Sequence, residues 1–307
     1  MHQAFVDGSP FVSGLNLFKM PILSAPIRPE TIAVNDGDGI ATFVISNARD
    51  PLERAKFTRL ADIDAPERKG IHFITAELQS GETVQINRYL GHYCMLGLTF
   101  LLRLFNDGTC GLLHYEMPRE GFQVVTDPFN REIRQYWIRW KTAPTEKQLQ
   151  VLDKLASYTE GSDLRERFMS HQNPRLASED QPFLLNINAT LVLMGFAFVF
   201  TKYCCDNDLL ALQTLAKQKG LGPIWCGINY NKMDGICSEV HQDYRQAVFE
   251  AGINFEIIKQ NGYPTSRQTA SGSREWFLPW NERATMNSQE RPRRPVIPDP
   301  YGFIIDL

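Results

Sequence analysis

Val34-Asn35-Asp36-Gly37-Asp38-Gly39, followed further on by Phe57-Thr58-Arg59-Leu60-Ala61-Asp62-Ile63-Asp64-Ala65-Pro66-Glu67, is the pair of segments on which the fold turns. The first is a turn by composition, because Gly and Asp accept positive φ and Asp bonds its own backbone. Residues 31–34 lead into it as a strand. Residues 40–46 leave it as a second strand, with Phe43 and Ile45 alternating against more polar neighbours. After a turn at 47–53, residues 55–63 read as a third strand, and Pro66 ends its ladder. On that strand Arg59, Ala61 and Ile63 share one face. Strand pairing can bring the Asp38 turn beside the corner at residues 64–67, though spacing alone does not require it.

Outward from this hairpin the chain turns helical. Residues 87–105 read as a helix stopped by Asn106-Asp107-Gly108. Residues 110–115, 122–125 and 136–140 are strand candidates. Thr145 and Gln148 form a capping-box pattern at the head of an amphipathic helix over 145–158, which resumes over 163–170 after Gly161. Residues 184–200 read as one buried helix, 207–219 as an amphipathic helix closed by Gly220, and 238–251 as a helix ended by Gly252. Beyond about residue 258 the chain is rich in Pro, Arg, Ser and Asn and reads as an extended tail.

The composition is that of a globular protein, 43% hydrophobic and 22% charged over 307 residues. A formal net charge of −3 excludes a polycation, so a nucleic-acid partner needs a local basic groove. The six cysteines form no CxxC pair, and Cys226, Cys237 and His241 fit no closed zinc pattern. Reduced thiols are expected. The first twenty residues lack the basic head and apolar core of an export signal, so a cytoplasmic location is expected. Residues 89–105 are short for a membrane span, and 184–200 are interrupted by Asn186, Asn188 and Thr190.

A hard divalent cation takes oxygen ligands, an attacking water needs a base, and charge developing on a phosphate needs fixed positive groups. Asp36 and Asp38 on the turn, Asp64 and Glu67 at the strand mouth, and Arg59 before them are those residue types. The two quoted segments resemble the DGDT turn and the RLxGIDAPE strand of the staphylococcal nuclease (thermonuclease) family. Thr126-Asp127-Pro128-Phe129-Asn130-Arg131 is similar to that family's D-x-Y-G-R stretch. Residues 185–197 resemble its VNxxLVxxGLA helix, and residues 209–225 its last helix and closing G-I-W.

The resemblance implies an α+β fold, a five-stranded OB-fold-like β-barrel with three core helices. It implies an endonuclease that hydrolyses DNA or RNA phosphodiesters with little base specificity. Asp38, Asp64 and the backbone carbonyl of Ala65 would bind the metal, typically Ca2+, with Mg2+ or Mn2+ as alternatives. Glu67 would act on the attacking water. Arg59 and Arg131 would hold the scissile phosphate, and Asp36 would support the metal turn from behind. Gly39 stands where the family has Thr, Asp62 where it has a small residue, commonly Gly, and Asn130 where it has Gly.

On this reading residues 1–30 are a lead-in, 31–227 the nuclease-like domain with insertions at about 70–86 and 141–180, and 228–307 a helix and tail. The insertions and tail leave several roles open: a lid, a filter for single strands, a seat for a partner protein or second copy, or added scaffold. Trp276, Trp280 and Tyr301 with Arg267, Arg274 and Arg283 suit stacking on single-stranded nucleic acid. They suit a tail clamped on its own domain better. A non-catalytic binding module on the same barrel, or a nuclease regulated by a larger assembly, are the alternatives.

Overall fold

The computed structural model describes residues 24–43, 55–66, 73–77, 83–87, 89–116, 125–127, 129–201, 206–225, 266–268 and 274–276. In chain order its first elements are β1 (Ile32–Asp36), β2 (Gly39–Phe43), β3 (Ala55–Leu60), β4 (Ile63–Asp64), β5 (Phe73–Glu77), β6 (Thr83–Asn87) and α1 (Tyr89–Phe105). Next come β7 (Gly111–Tyr115), β8 (Glu132–Arg134), β9 (Tyr136–Trp140), α2 (Glu146–Tyr158), β10 (Phe183–Asn186) and α3 (Ile187–Leu193). The last are β11 (Phe198–Val199), α4 (Asn207–Lys219), α5 (Gly222–Trp225), β12 (Ser266–Gln268) and β13 (Arg274–Trp276). The class is α+β.

The sheet that carries the quoted motif runs β1-β2-β3-β8. Its first three strands are antiparallel, and β8 joins parallel to β3 with Arg59 opposite Ile133. A second sheet runs β10-β9-β7, and short pairs join β4 to β11, β5 to β6 and β12 to β13. Gln135 is the corner where the chain passes from the first sheet to the second, and its carbonyl accepts from Glu116 N at 2.8 Å. Among the described residues these sheets do not close into a barrel.

Several expectations hold. The DGDG segment is the hairpin turn, with Asp36 paired to Gly39. Its glycines serve a purpose other than the one expected: neither takes a positive φ. Gly37 instead permits close approach, since a Cβ there would lie 2.6 Å from the Ala65 Cβ and 2.9 Å from that of Cys94 in α1. Thr145 caps α2 in a full capping box with Gln148. Asp206 and a left-handed Gly220 bound α4.

Three expectations are corrected. The strand expected over 55–63 breaks after Leu60, because Asp62 adopts φ 63° and turns the chain. Ile63 and Asp64 then pair with β11, away from the first sheet. The helix expected over 184–200 is three things: β10, α3 and β11. Length and hydrophobicity do not separate a buried strand from a buried helix. What divides the run is polar. The Asn186 side chain accepts from Ala189 N and caps α3, and Gly195 at φ 70° turns the chain after it. The expected continuation over 163–170 is a short 3-10 helix, Asp163–Arg167. Residues 122–124 of one strand candidate, the 47–53 turn and the 238–251 helix lie outside the described residues.

The segment at 141–180, expected as an insertion, is built into the core. Leu152 and Leu155 of α2, with Phe168 and Met169, belong to the same buried cluster as Trp137 and Trp140 of β9 and Tyr93 of α1. Phe105, Trp140 and Phe183 stack edge-on or tilted through its centre. Gln148 has no exposure and is the polar knot of this layer. Its Oε1 accepts from Thr145 N and Trp140 Nε1, while its Nε2 donates to the carbonyl of Leu104 and to Asp107. Among the described residues no helix is long and apolar enough to cross a membrane.

Candidate active site

The β1–β2 turn presents Asp38, whose backbone is fixed from two sides. Its N–H donates to Asp36 Oδ1 at 3.4 Å, and its carbonyl accepts from Leu60 N at 2.8 Å. Gly39 leaves room for this arrangement, because a Cβ there would stand 2.4 Å from Asp36 Oδ1. The hydroxyl-bearing residue that the family resemblance leads one to expect is replaced here by space that the Asp36 carboxylate fills.

Arg59 faces that turn from β3, directly across from Gly39. Its Nη2 donates to Asp38 Oδ2 at 3.2 Å and also to Asp64 Oδ1. The group is withdrawn from water: Asp64 is 0% exposed, Asp38 3% and Arg59 8%. Phe200 closes it, with its ring centroid 5.2 Å from the Arg59 guanidinium carbon. Ala65 N donates to Asp38 Oδ2 at 3.3 Å, so this peptide lies against the same carboxylate. The turn and the corner at Asp64 therefore meet, as the expected strand pairing requires. Asp38 also acts on Cys94 in α1: burial first, and then this carboxylate, push the thiol pKa well above its usual value.

Arg131 arrives by the parallel partner strand. Arg131 stands immediately before Glu132, the first residue of β8, whose Ile133 lies opposite Arg59. Its Nε donates to Asp127 Oδ2 at 2.6 Å. Among the described residues Nη1 and Nη2 make no hydrogen bond. Burial lowers the Arg131 pKa, but Asp38, Asp127 and Asp36 more than offset this, so it ends above the ordinary value. The acidic turn is thus within electrostatic reach of both predicted arginines. Asn130 holds φ 62°, the left-handed conformation that Asn tolerates better than most residues. Glu67 lies outside the described residues.

Sequence reasoning passed over the groups that hold this corner in place. Asn188 Nδ2 donates to the carbonyls of Ala61 at 2.9 Å and Arg134 at 3.3 Å, and its Oδ1 accepts from Tyr136 N at 3.1 Å. Asn186 Nδ2 donates to Gln135 Oε1, and Gln135 Nε2 donates to Asp62 Oδ2, both at 3.2 Å. Phe200 N donates to the Asp62 carbonyl at 2.9 Å. The signal was present in the sequence: two asparagines inside an apolar run must bond something once buried. Above they count as interruptions of a membrane span and as part of the 185–197 motif, not as the source of these bonds.

Chemically the corner holds two buried carboxylates against one bonded guanidinium. Among the described residues no three His, Cys, Asp or Glu side chains converge on one point. Asp38 and Asp64 form a converging pair, since both reach the same Arg59 nitrogen. A buried pair of carboxylates is the oxygen-ligand chemistry that a hard divalent cation takes. The chain matches no known family model and no curated protein.

Proposed function

We propose that the protein is a metal-dependent phosphodiesterase of the staphylococcal nuclease type, cleaving DNA or RNA on an OB-fold-like β-barrel core. The observation that carries this reading is the convergence of Asp38 and Asp64 on Arg59, with Arg131 within electrostatic reach of the same acidic turn. The barrel is supported by the hairpin-plus-strand order of β1, β2 and β3 and by the bend at Gln135 that joins the two main sheets. Free thiols at Cys94 and Cys110 suit a reducing, cytoplasmic setting.

Asp38, Asp64 and the Ala65 carbonyl would hold the cation, with Ca2+ first and Mg2+ or Mn2+ as alternatives. When bound, the cation supplies a polarised phosphoryl oxygen and a more acidic water. Asp36 keeps the turn in place by accepting from Asp38 N. Glu67 is the base or orienter for the attacking water. Arg59 exchanges its carboxylate partners for a phosphate oxygen. Arg131 offers the Nη edge of its fork, which suits bidentate phosphate binding, and offsets charge as it develops. Phe200 excludes water from this pair of charges.

One observation favours a second reading. Arg59 is already engaged by two buried carboxylates, the state expected of a non-catalytic module in which the corner only holds the fold together. Incubation with plasmid, linear duplex, single-stranded DNA and RNA, with and without chelator, separates the two. Nuclease function requires cleavage that chelator abolishes and that Arg131→Ala or Glu67→Gln lowers by about 100-fold or more. Binding without turnover under any divalent metal establishes the module instead.

A further inference from the structure

We infer that the second sheet carries a site for hydrogen phosphate, built by Trp137, Arg139 and His114 and separate from the carboxylate corner. This goes beyond the phosphodiesterase reading and does not depend on it. On β9, Trp137 and Arg139 lie two positions apart and so share one face of the strand. His114 of β7 is directly opposite Trp137, which puts its side chain on that face too, with Cβ atoms about 4.5–5.5 Å apart. Asn186 flanks Trp137 from β10, but both ends of its amide are taken, by Gln135 and by Ala189 N.

Trp137 is 0% exposed, yet its Nε1 has no hydrogen-bond partner among the described residues. The same holds for the buried Nε of Arg139, which also makes no ion pair among them. Buried donors are nearly always bonded, so two on one face call for an acceptor from outside the chain. His114 Nδ1 lies 2.8 Å from the Ser24 carbonyl, and since a carbonyl only accepts, this nitrogen carries the imidazole proton. The Nε2 of the neutral ring is then an acceptor. The ring is kept neutral by burial first, and then by Arg139 and Lys141, against the Ser24 carbonyl. Lys141 is already paired with Glu179 at 2.8 Å, so Arg139 supplies the positive charge. Two N–H donors and a cation suit an oxyanion, and the acceptor asks that one of its oxygens carry a proton. Hydrogen phosphate meets both demands near neutral pH. Sulfate has no proton to give, and a phosphomonoester has lost its own above about pH 6.

The test uses the full chain in chelator, carrying Arg131→Ala so that the proposed scissile-phosphate clamp takes no part. Inorganic phosphate, sulfate and methyl phosphate are titrated by calorimetry somewhat above pH 7. Phosphate should bind one-to-one with a Kd below about 1 mM, and the other two about tenfold or more weakly. Trp137→Phe and Arg139→Met should each weaken phosphate about tenfold or more, while Lys141→Ala should barely change it. Phosphate should also move the Trp137 indole N–H resonance, assigned by its loss in Trp137→Phe. If Trp137→Phe does not fold, Arg139→Met and the resonance shift decide. No saturable binding, sulfate or methyl phosphate as tight as phosphate, an equal loss in Lys141→Ala, or an unmoved indole resonance overturns the inference. No arm reads cleavage, so failure of the phosphodiesterase reading leaves the result intact.

Discussion

Replacing Arg59 with Met is the perturbation on which the electrostatics of the corner can be judged. Its guanidinium is a countercharge shared by Asp38 and Asp64, and all three side chains are nearly or fully out of water. Met keeps the aliphatic bulk and removes the charge. Two carboxylates then face each other without the guanidinium they shared, and breaking a buried ion pair from one side costs about 3–5 kcal/mol. Two unit charges about 4 Å apart at an effective dielectric of about 20 repel by roughly 4 kcal/mol, a similar figure from a different direction. Asp64→Asn is the contrasting change. It leaves Asp38 and Arg59 as a balanced pair, and its cost should stay below about 1.5 kcal/mol. Urea unfolding in chelator, read by tryptophan fluorescence, should show that order. Calcium at about a hundred times its dissociation constant should then return roughly 2.7 kcal/mol to Arg59→Met, because a cation takes the guanidinium's place. An Arg59→Met loss under about 1 kcal/mol, or one no larger than that of Asp64→Asn, refutes the claim that Arg59 balances this corner.

Other expectations follow from the same geometry. Asn188→Ala removes the partner of Tyr136 N and of two carbonyls and should cost about 2–4 kcal/mol in urea unfolding, against near-neutral change at exposed Asn130→Gly. Gln148→Ala should destabilise about twice as much as Thr145→Ala, which loses one cap worth about 1 kcal/mol. Gln148 also satisfies Trp140 and the Leu104 carbonyl. Burial holds the His114 imidazole below its ordinary 6.5, with Arg139 and Lys141 adding to the effect against the Ser24 carbonyl. The folded state therefore disfavours the proton, so stability is full above pH 6.5 and declines as pH falls toward the lowered value. His114→Gln should flatten that part of the urea-midpoint profile.

The hairpin at Asp36–Gly39 and the presence of α1, α2 and α4 were legible because each carries its own local signals: turn residues, caps and a helical apolar stripe. Asp38, Asp64 and Arg59 were legible as a trio through the family resemblance, since strand pairing permits their convergence but spacing does not dictate it. The split of residues 184–200 was not legible. Its decision rests on which strand edge lies beside Leu185, a fact of β9 some fifty residues earlier. Asp62 shows the opposite case: its departure from Gly was visible, but that it would hold φ 63° and end β3 depended on Gln135, Phe200 and Asn188 gripping the turn from elsewhere. The barrel closure expected from the resemblance likewise depends on long-range pairings that no local pattern encodes.

The bond from Asn188 to the Ala61 carbonyl spans 127 positions, and Asp64 pairs with Phe198 across a similar distance. During synthesis the carboxylate corner therefore emerges long before the strand and helix that hold it. At about 5–20 residues per second this interval is on the order of ten seconds. Through that time Asp38, Arg59 and Asp64 are present on the nascent chain but not fixed relative to one another. Competence would then switch on late and all at once, when α3 and β11 dock, and a truncated chain that stops before residue 188 should carry every predicted ligand and none of the assembled corner.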